Sequence, residues 1–207
     1  AYTWTRQTLA HEKPDFAQGD HHPVVNVSFN DAREFCAWLS KKEGKLYRLP
    51  TDHEWSGAVG IATGEDPAAF PKSKGIEAPK NKRNEIKGVF PWSNAWPPPP
   101  GSGNVAASLH VDRYDYTSPV GSFEPTADGL YDLAGNVCEW CDDIYEPKEH
   151  YRVLRGGSWR CRDSMFLLSA FRGRGNTPTR HDTRGFRVVL EVGDDEQVLL
   201  IPVRERA

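Results

Sequence analysis

The amino-acid sequence predicts one α+β domain with little regular secondary structure: two main helices, short antiparallel strands and long ordered loops. The chain has 207 residues, 38% hydrophobic and 27% charged, proportions that suit one folded domain with a sizeable core. Seven Trp, 18 Gly and 16 Pro favour loops pinned by aromatic packing over a helical bundle or a long sheet. Only two stretches combine a helix start signal with helical periodicity, and the remaining apolar runs are strand-length.

In chain order, residues 1–27 read as irregular chain ending in an extended run, "HPVVNV", whose proline and β-branched residues favour a strand. In "SFNDAREFCAWLSKKEGK", Ser28 and Asp31 have capping-box spacing. Phe29, Ala32, Phe35, Cys36 and Leu39 form one stripe, and Gly44 ends the helix. Cys36 therefore belongs to the core. Thr51 and Glu54 in "RLPTDHEW" open a second, two-turn helix with Trp55 and Ala58 facing inward. Residues 67–100 turn polar and proline-rich, closing on four consecutive prolines (97–100) that forbid helix and central strand. "GLYDL", "RVLRGGSW" and "GFRVVLEV" read as further strands. The domain is assigned to residues 1–192, with residues 193–207 a C-terminal extension that would add an edge strand.

Net charge of −3 gives no global field for nucleic acid or an anionic membrane. No apolar run reaches the roughly 20 residues of a membrane-spanning helix. Four cysteines are too few to form a disulfide framework at this length. HExxH, GxSxG and a P-loop lysine are absent, and "GRGNT" is a weak glycine pattern, so hydrolase and nucleotide chemistry are disfavoured. "CEWC" (Cys138 and Cys141) lacks the second ligand pair that a zinc site needs. His21 and His22 lack a carboxylate at facial-triad spacing. Oxygen donors around the turns of "GNVAASLHVDRYDY" and "GLYDLAGNVCEW" suit a hard cation such as Ca²⁺, although Asn and Asp also cap turns through their own backbone.

The motifs "HPVVNVSFNDAREFCAWLSKKEGKLYRLPTDHEW", "FPW", "SPVGSF", "GLYDLAGNVCEW", "RVLRGGSW" and "GFRVV", in this order, resemble the formylglycine-generating enzyme (sulfatase-modifying factor) family. The resemblance implies a C-type-lectin-like α+β fold, here lacking the family's first strands. It implies one or two calcium ions. The first would be held by Asn104, the Val105 carbonyl, Asp112 and the Tyr114 carbonyl; the second by Asp132, the Gly135 and Val137 carbonyls, and Glu139. The family's copper site needs two thiolates. Cys161 matches the first, but Phe166, which has no donor atom, stands at the second, so copper is not expected and Cys161 reads as a catalytic remnant. Ser158 matches the family's cleft serine, and Cys138 replaces a tryptophan beside it.

These features suggest a non-catalytic binding or sensor module with a lectin-like ligand surface over residues 159–184. Trp159, Arg160, Arg162, Arg172, Arg174, Arg180 and Arg184 concentrate positive charge there, and guanidinium forks grip carboxylates or phosphates. The ligand would be a protein or a small molecule. Two alternatives use the same residues: a copper-dependent formylglycine-generating oxidase working through Cys161, and a variable ligand-binding protein of a diversity-generating retroelement. The resemblance also extends to bacterial relatives fused to serine/threonine kinase domains, which implies a kinase or another N-terminal partner.

Overall fold

The computed structural model describes residues 14–64, 86–145, 150–192 and 199–201. Among the described residues three α-helices, α1 (Phe29–Glu43), α2 (Asp52–Ala58) and α3 (Ser164–Leu167), accompany seven strands. These are β1 (Leu46–Arg48), β2 (Cys138–Ile144), β3 (Tyr151–Arg155), β4 (Gly173–Asn176), β5 (Arg184–Gly185), β6 (Val188–Glu191) and β7 (Leu199–Ile201). One sheet runs β1-β6-β7 and the other β4-β3-β2-β5. Every pairing is antiparallel except β2 with β5.

Both helix starts are local chemistry. Ser28 and Asp31 form a reciprocal capping box, and Gly44 closes α1 at φ 66°, a left-handed conformation that glycine adopts without steric cost. Thr51 and Glu54 repeat the box at α2. Phe29, Ala32 and Cys36 are buried as their spacing predicts.

Two expected strands are not strands. Residues 22–27 run irregularly because Asn26 takes φ 56°, which interrupts extended backbone. Val25 and Val27 still enter the core, and Asn26 N–H bonds the His181 carbonyl at 3.0 Å. "GLYDL" is likewise irregular chain, with Asp132 at φ 58°; the strand begins six residues later, at Cys138. Of the expected proline-rich segment, residues 67–85 lie outside the described residues. In its last part Phe90 stacks on Trp92 with ring centroids 5.0 Å apart.

Among the described residues the core has three clusters, centred on Phe29 and Trp140, on Trp55 and Val153, and on Phe90 and Val105. Buried aromatic N–H groups need acceptors. Trp140 Nε1 donates to the Val27 carbonyl at 3.0 Å and Trp55 Nε1 to Glu139 at 2.8 Å. Against the Trp55 ring lies a buried ionic knot. Arg155 pairs with Asp52, donates to the Ser169 carbonyl, and lies over the Trp55 ring at 4.4 Å. Arg172 Nε reaches the other Asp52 oxygen at 2.7 Å.

Candidate functional site

The segment after β3 turns at Gly156 and Gly157, with φ 89° and 73°, and delivers Ser158, Trp159 and Cys161 to one end of the four-stranded sheet. A Cβ on Gly157 would come within 2.7 Å of the Leu167 side chain and 3.2 Å of the Phe166 carbonyl oxygen, so the left-handed turn packed on α3 favours glycine. Cys161 N–H closes the turn on the Ser158 carbonyl at 2.9 Å, and the Cys161 carbonyl accepts from Ala106 N–H at 3.0 Å.

Ser158 Oγ lies 3.6 Å from Cys161 Sγ. Burial, then the neighbouring Cys161, pushes the Cys138 thiol up to about 12. Phe166 packs edge-on against Phe171, centroids 5.2 Å apart, so carbon occupies the position where a second soft ligand would stand. With one sulfur there, the residues do not fit a linear Cu(I) dithiolate at Cys161 and position 166. Cys141 is three residues beyond Cys138 on a strand, which places the two on opposite faces. Cys141 lies in the Trp55 cluster, so "CEWC" does not act as a pair.

The two oxygen-rich segments lie side by side. Asn104 bridges Gly135, and the Asn104 carbonyl accepts from Asn136 N–H at 2.8 Å. A Cβ on Gly135 would fall 1.8 Å from the Asn104 carbonyl oxygen, so this contact demands glycine. In the first segment Asn104 is fully buried; its Nδ2 donates to the Tyr116 carbonyl, while Oδ1 has no hydrogen-bond partner among the described residues. Asp112 accepts from Val105 N–H at 3.1 Å and Tyr114 N–H at 2.8 Å, which leaves part of its acceptor capacity open. In the second segment Asp132 Oδ2 accepts from Gly121 N–H at 2.7 Å, and its buried Oδ1 is likewise unpartnered. Burial raises the Asp132 carboxyl above its ordinary value despite that bond.

Buried unpaired oxygens are costly, and each segment offers one of the kind a hard cation takes. Glu139 is differently placed: Arg187 holds both its oxygens at 2.5 Å and Trp55 adds a third bond. Its charge is thereby compensated by protein. Among the described residues no group of three or more His, Cys, Asp and Glu side chains converges on a metal position; the two oxygen-rich segments rely on amide and carbonyl oxygens instead.

The arginines do not form one patch. Arg172 is buried in the ionic knot at 8% exposure and so is not on the ligand surface: Asp52 at 2.7 Å and the Tyr145 ring draw it inward. Arg174 lies over Tyr151 at 4.9 Å, and Arg184 over Trp140 at 5.5 Å. Arg162 is exposed. Arg160 and Arg180 converge with Asp15, Asn26, His181 and Asp182 on a polar cavity of about 260 Å³. Arg180 is held bidentately by Asp31 at 2.7 Å, and Arg160 reaches Asp182 at 3.1 Å while covering the Trp159 ring. Trp159 in turn packs with Phe16 and Tyr116. Asp15, Phe16 and Tyr116 carry no local signal as neighbours of this surface, because they join it from distant chain.

Residues 2–192 match the family described as sulfatase-modifying factor enzyme 1-like domain. The inactive C-alpha-formylglycine-generating enzyme 2 of Bos taurus is 36% identical over 186 residues, covering 83% of this chain and 51% of that protein. The formylglycine-generating enzyme of Thermomonospora curvata is 32% identical, covering 70% and 46%. The chain thus spans about half the length of these relatives. It also aligns with a quarter of the serine/threonine-protein kinase Pkn1 of Chlamydia trachomatis, at 30% identity and 87% coverage of this chain. Among solved structures, PvdO from Pseudomonas aeruginosa superposes with a TM-score of 0.65 at 31% identity, covering 87% of this chain and 66% of that one. Treponema denticola variable protein 1 does so at 0.53 and 25%, covering 86% and 75%. Sequence motifs, buried architecture and these likenesses agree: the chain belongs to the sulfatase-modifying factor enzyme 1-like domain family and has its formylglycine-generating-enzyme-like α+β fold.

Proposed function

We propose that this domain binds a ligand rather than oxidising one. The observation that carries the reading is Phe166: packed on Phe171, it presents no donor beside Cys161, so the paired thiolate that soft-metal oxygen chemistry needs is missing there. The likeness to an inactive relative supports it. The ligand surface is the open cavity formed by Arg160, Arg180, His181 and Asp182 with Asp15 and Asn26, bordered by the Trp159 and Tyr116 rings. Mixed charge in that cavity suits a polar protein segment or small molecule.

Calcium is part of the proposal. Asn104, the Val105 carbonyl, Asp112 and the Tyr114 carbonyl would hold one ion. Asp132 with the Gly135 and Val137 carbonyls would hold a second, with Glu139 alongside but already paired to Arg187. The ions would neutralise Asp112 and Asp132 and fix the turns that support the cleft; they supply no redox chemistry.

The test is turnover. Supplied with Cu(I), oxygen and a cysteine-containing sulfatase peptide, the protein is expected to yield no peptide aldehyde. Aldehyde formation abolished by Cys161→Ser would overturn the binding reading in favour of the oxidase. A second reading, a variable ligand-binding protein, draws on the likeness to Treponema denticola variable protein 1. Sequencing the locus across isolates decides it: substitutions concentrated at positions 160, 162 and 180–182 support variability, and an even spread removes it.

A further inference from the structure

The two arginines of the polar cavity are not equally available. Arg180 is committed to Asp31, which takes its Nε and Nη2 at 2.7 Å each. The Arg160 side chain is 56% exposed and makes one ion pair, Nη2 to Asp182 Oδ2 at 3.1 Å, and an exposed pair of this kind contributes little. Most of its N–H groups therefore remain for a ligand. The Trp159 ring lies 4.6 Å from its guanidinium carbon and orients the plane of the fork by stacking.

His181 stands at the other oxygen of Asp182, with Nδ1 2.9 Å from Oδ1. Thr183 N–H also points to Nδ1, at 3.2 Å, and an amide N–H can only donate. The neutral ring thus keeps its proton on Nε2, and a charged ring carries one there as well. Nε2 has no hydrogen-bond partner among the described residues. A planar guanidinium fork and an imidazole N–H therefore flank Asp182 in one cavity.

Charge and surroundings narrow what these donors would receive. Asp15 and Asp182 line the same cavity, and their carboxylates repel a phosphate dianion about twice as strongly as a monoanion at equal distance. Tyr116 is 46% exposed; it stacks on Phe16 with centroids 4.4 Å apart and meets Trp159 edge-on at 5.1 Å. Apolar surface is thereby exposed next to the ring that carries Arg160. Resting on the reading of this domain as a binder, we propose that the cavity takes a carboxylate monoanion carried beside an aromatic or branched apolar group. The carboxylate sits on Arg160 and His181, and the apolar group lies against Tyr116.

The experiment titrates the full chain by calorimetry with N-acetyl-L-phenylalanine, its carboxamide and phenyl phosphate. The acid should bind, the carboxamide roughly tenfold or more weakly because it lacks the charge, and phenyl phosphate more weakly than the acid. Arg160→Gln should erase the preference for acid over amide. Arg160→Lys, which keeps the charge and loses the fork, should restore part of it. A heptapeptide ending in phenylalanine separates two sources: tighter binding than the small acid assigns the anchor to a protein C-terminus, equal binding to a free acid, and both uphold the carboxylate. Equal affinity for acid and amide, preference for the phosphate, binding of no probe, or a preference that survives Arg160→Gln would overturn the proposal. None of these titrations reports aldehyde formation, so this proposal and the binding reading fail separately.

Discussion

Arg155 and Asp52 meet inside the core with neither side chain exposed, and Arg172 completes the knot from the other side of the same carboxylate. Removing one partner of a buried pair leaves the other charge uncompensated, at a cost of about 3–5 kcal/mol. Asp52→Asn, which strands both guanidiniums, is therefore expected to lower unfolding free energy by at least that order. Arg172→Met should cost less, because Asp52 keeps Arg155. Urea denaturation of the variants measures both.

Gly135 and Gly129 share nearly the same backbone, φ 79° and 78°, but not the same surroundings. A Cβ at Gly129 meets nothing within 4 Å, whereas one at Gly135 lands on the Asn104 carbonyl. Gly129→Ala should cost about 1–2 kcal/mol of left-handed strain. Gly135→Ala should cost more and separate the two oxygen-rich segments. Comparing the two melting temperatures isolates the contact from the strain.

If Asn104 and Asp132 hold calcium, added ion raises stability by mass action, about 2.7 kcal/mol at a hundredfold excess over Kd. Asn104→Leu and Asp132→Leu should each diminish that gain, and chelator should remove it. Calcium titration followed by thermal melting is the check; an unchanged melting temperature across the titration would remove calcium from the proposed function.

Burial alone would raise Glu54, but its hydrogen bonds to Arg48 and Thr51 hold the carboxyl below its ordinary value. The same balance, with Arg180 and Ser28 as partners, holds Asp31 down. A carboxyl lowered in the folded state adds stability that is fully present above its unfolded pKa and is lost as pH falls through its folded one. Melting temperature should therefore decline as the solution is acidified below the usual carboxylate range. Glu54→Gln, less stable at neutral pH, should show a shallower acid decline.

Both helix starts could be read from sequence because a capping box is settled within four residues, as at Ser28 and Asp31. Gly44 was legible for the same reason. The strands were harder. Residues 22–27 carry strand composition, yet Asn26 turns left-handed to meet His181, a tertiary bond that composition does not encode. Conversely β4, "GRGN", has no strand signal; Gly175 is there because a Cβ would fall 2.3 Å from the Trp140 ring. At the site, the mismatch of Cys161 with Phe166 was visible in the motif spacing. The pairing of Glu139 with Arg187 was not, because the two lie 48 positions apart and meet only in the folded chain. Arg172 misled for a similar reason: a charge in a basic run looks solvated until Asp52, 120 positions earlier, turns out to be its partner.

The four-stranded sheet has β4 at one edge and β5 at the other, so the chain between them, residues 177–183, crosses the full width of the sheet. It carries Arg180, His181 and Asp182, which line the polar cavity, and its two ends are clamped by strand pairing at opposite margins. Between those margins the span is also moored in the middle, where Arg180 grips Asp31 of the α1 capping box. A change in the lining of the cavity is therefore transmitted to the first turn of α1, which couples the outer surface to the core beneath it.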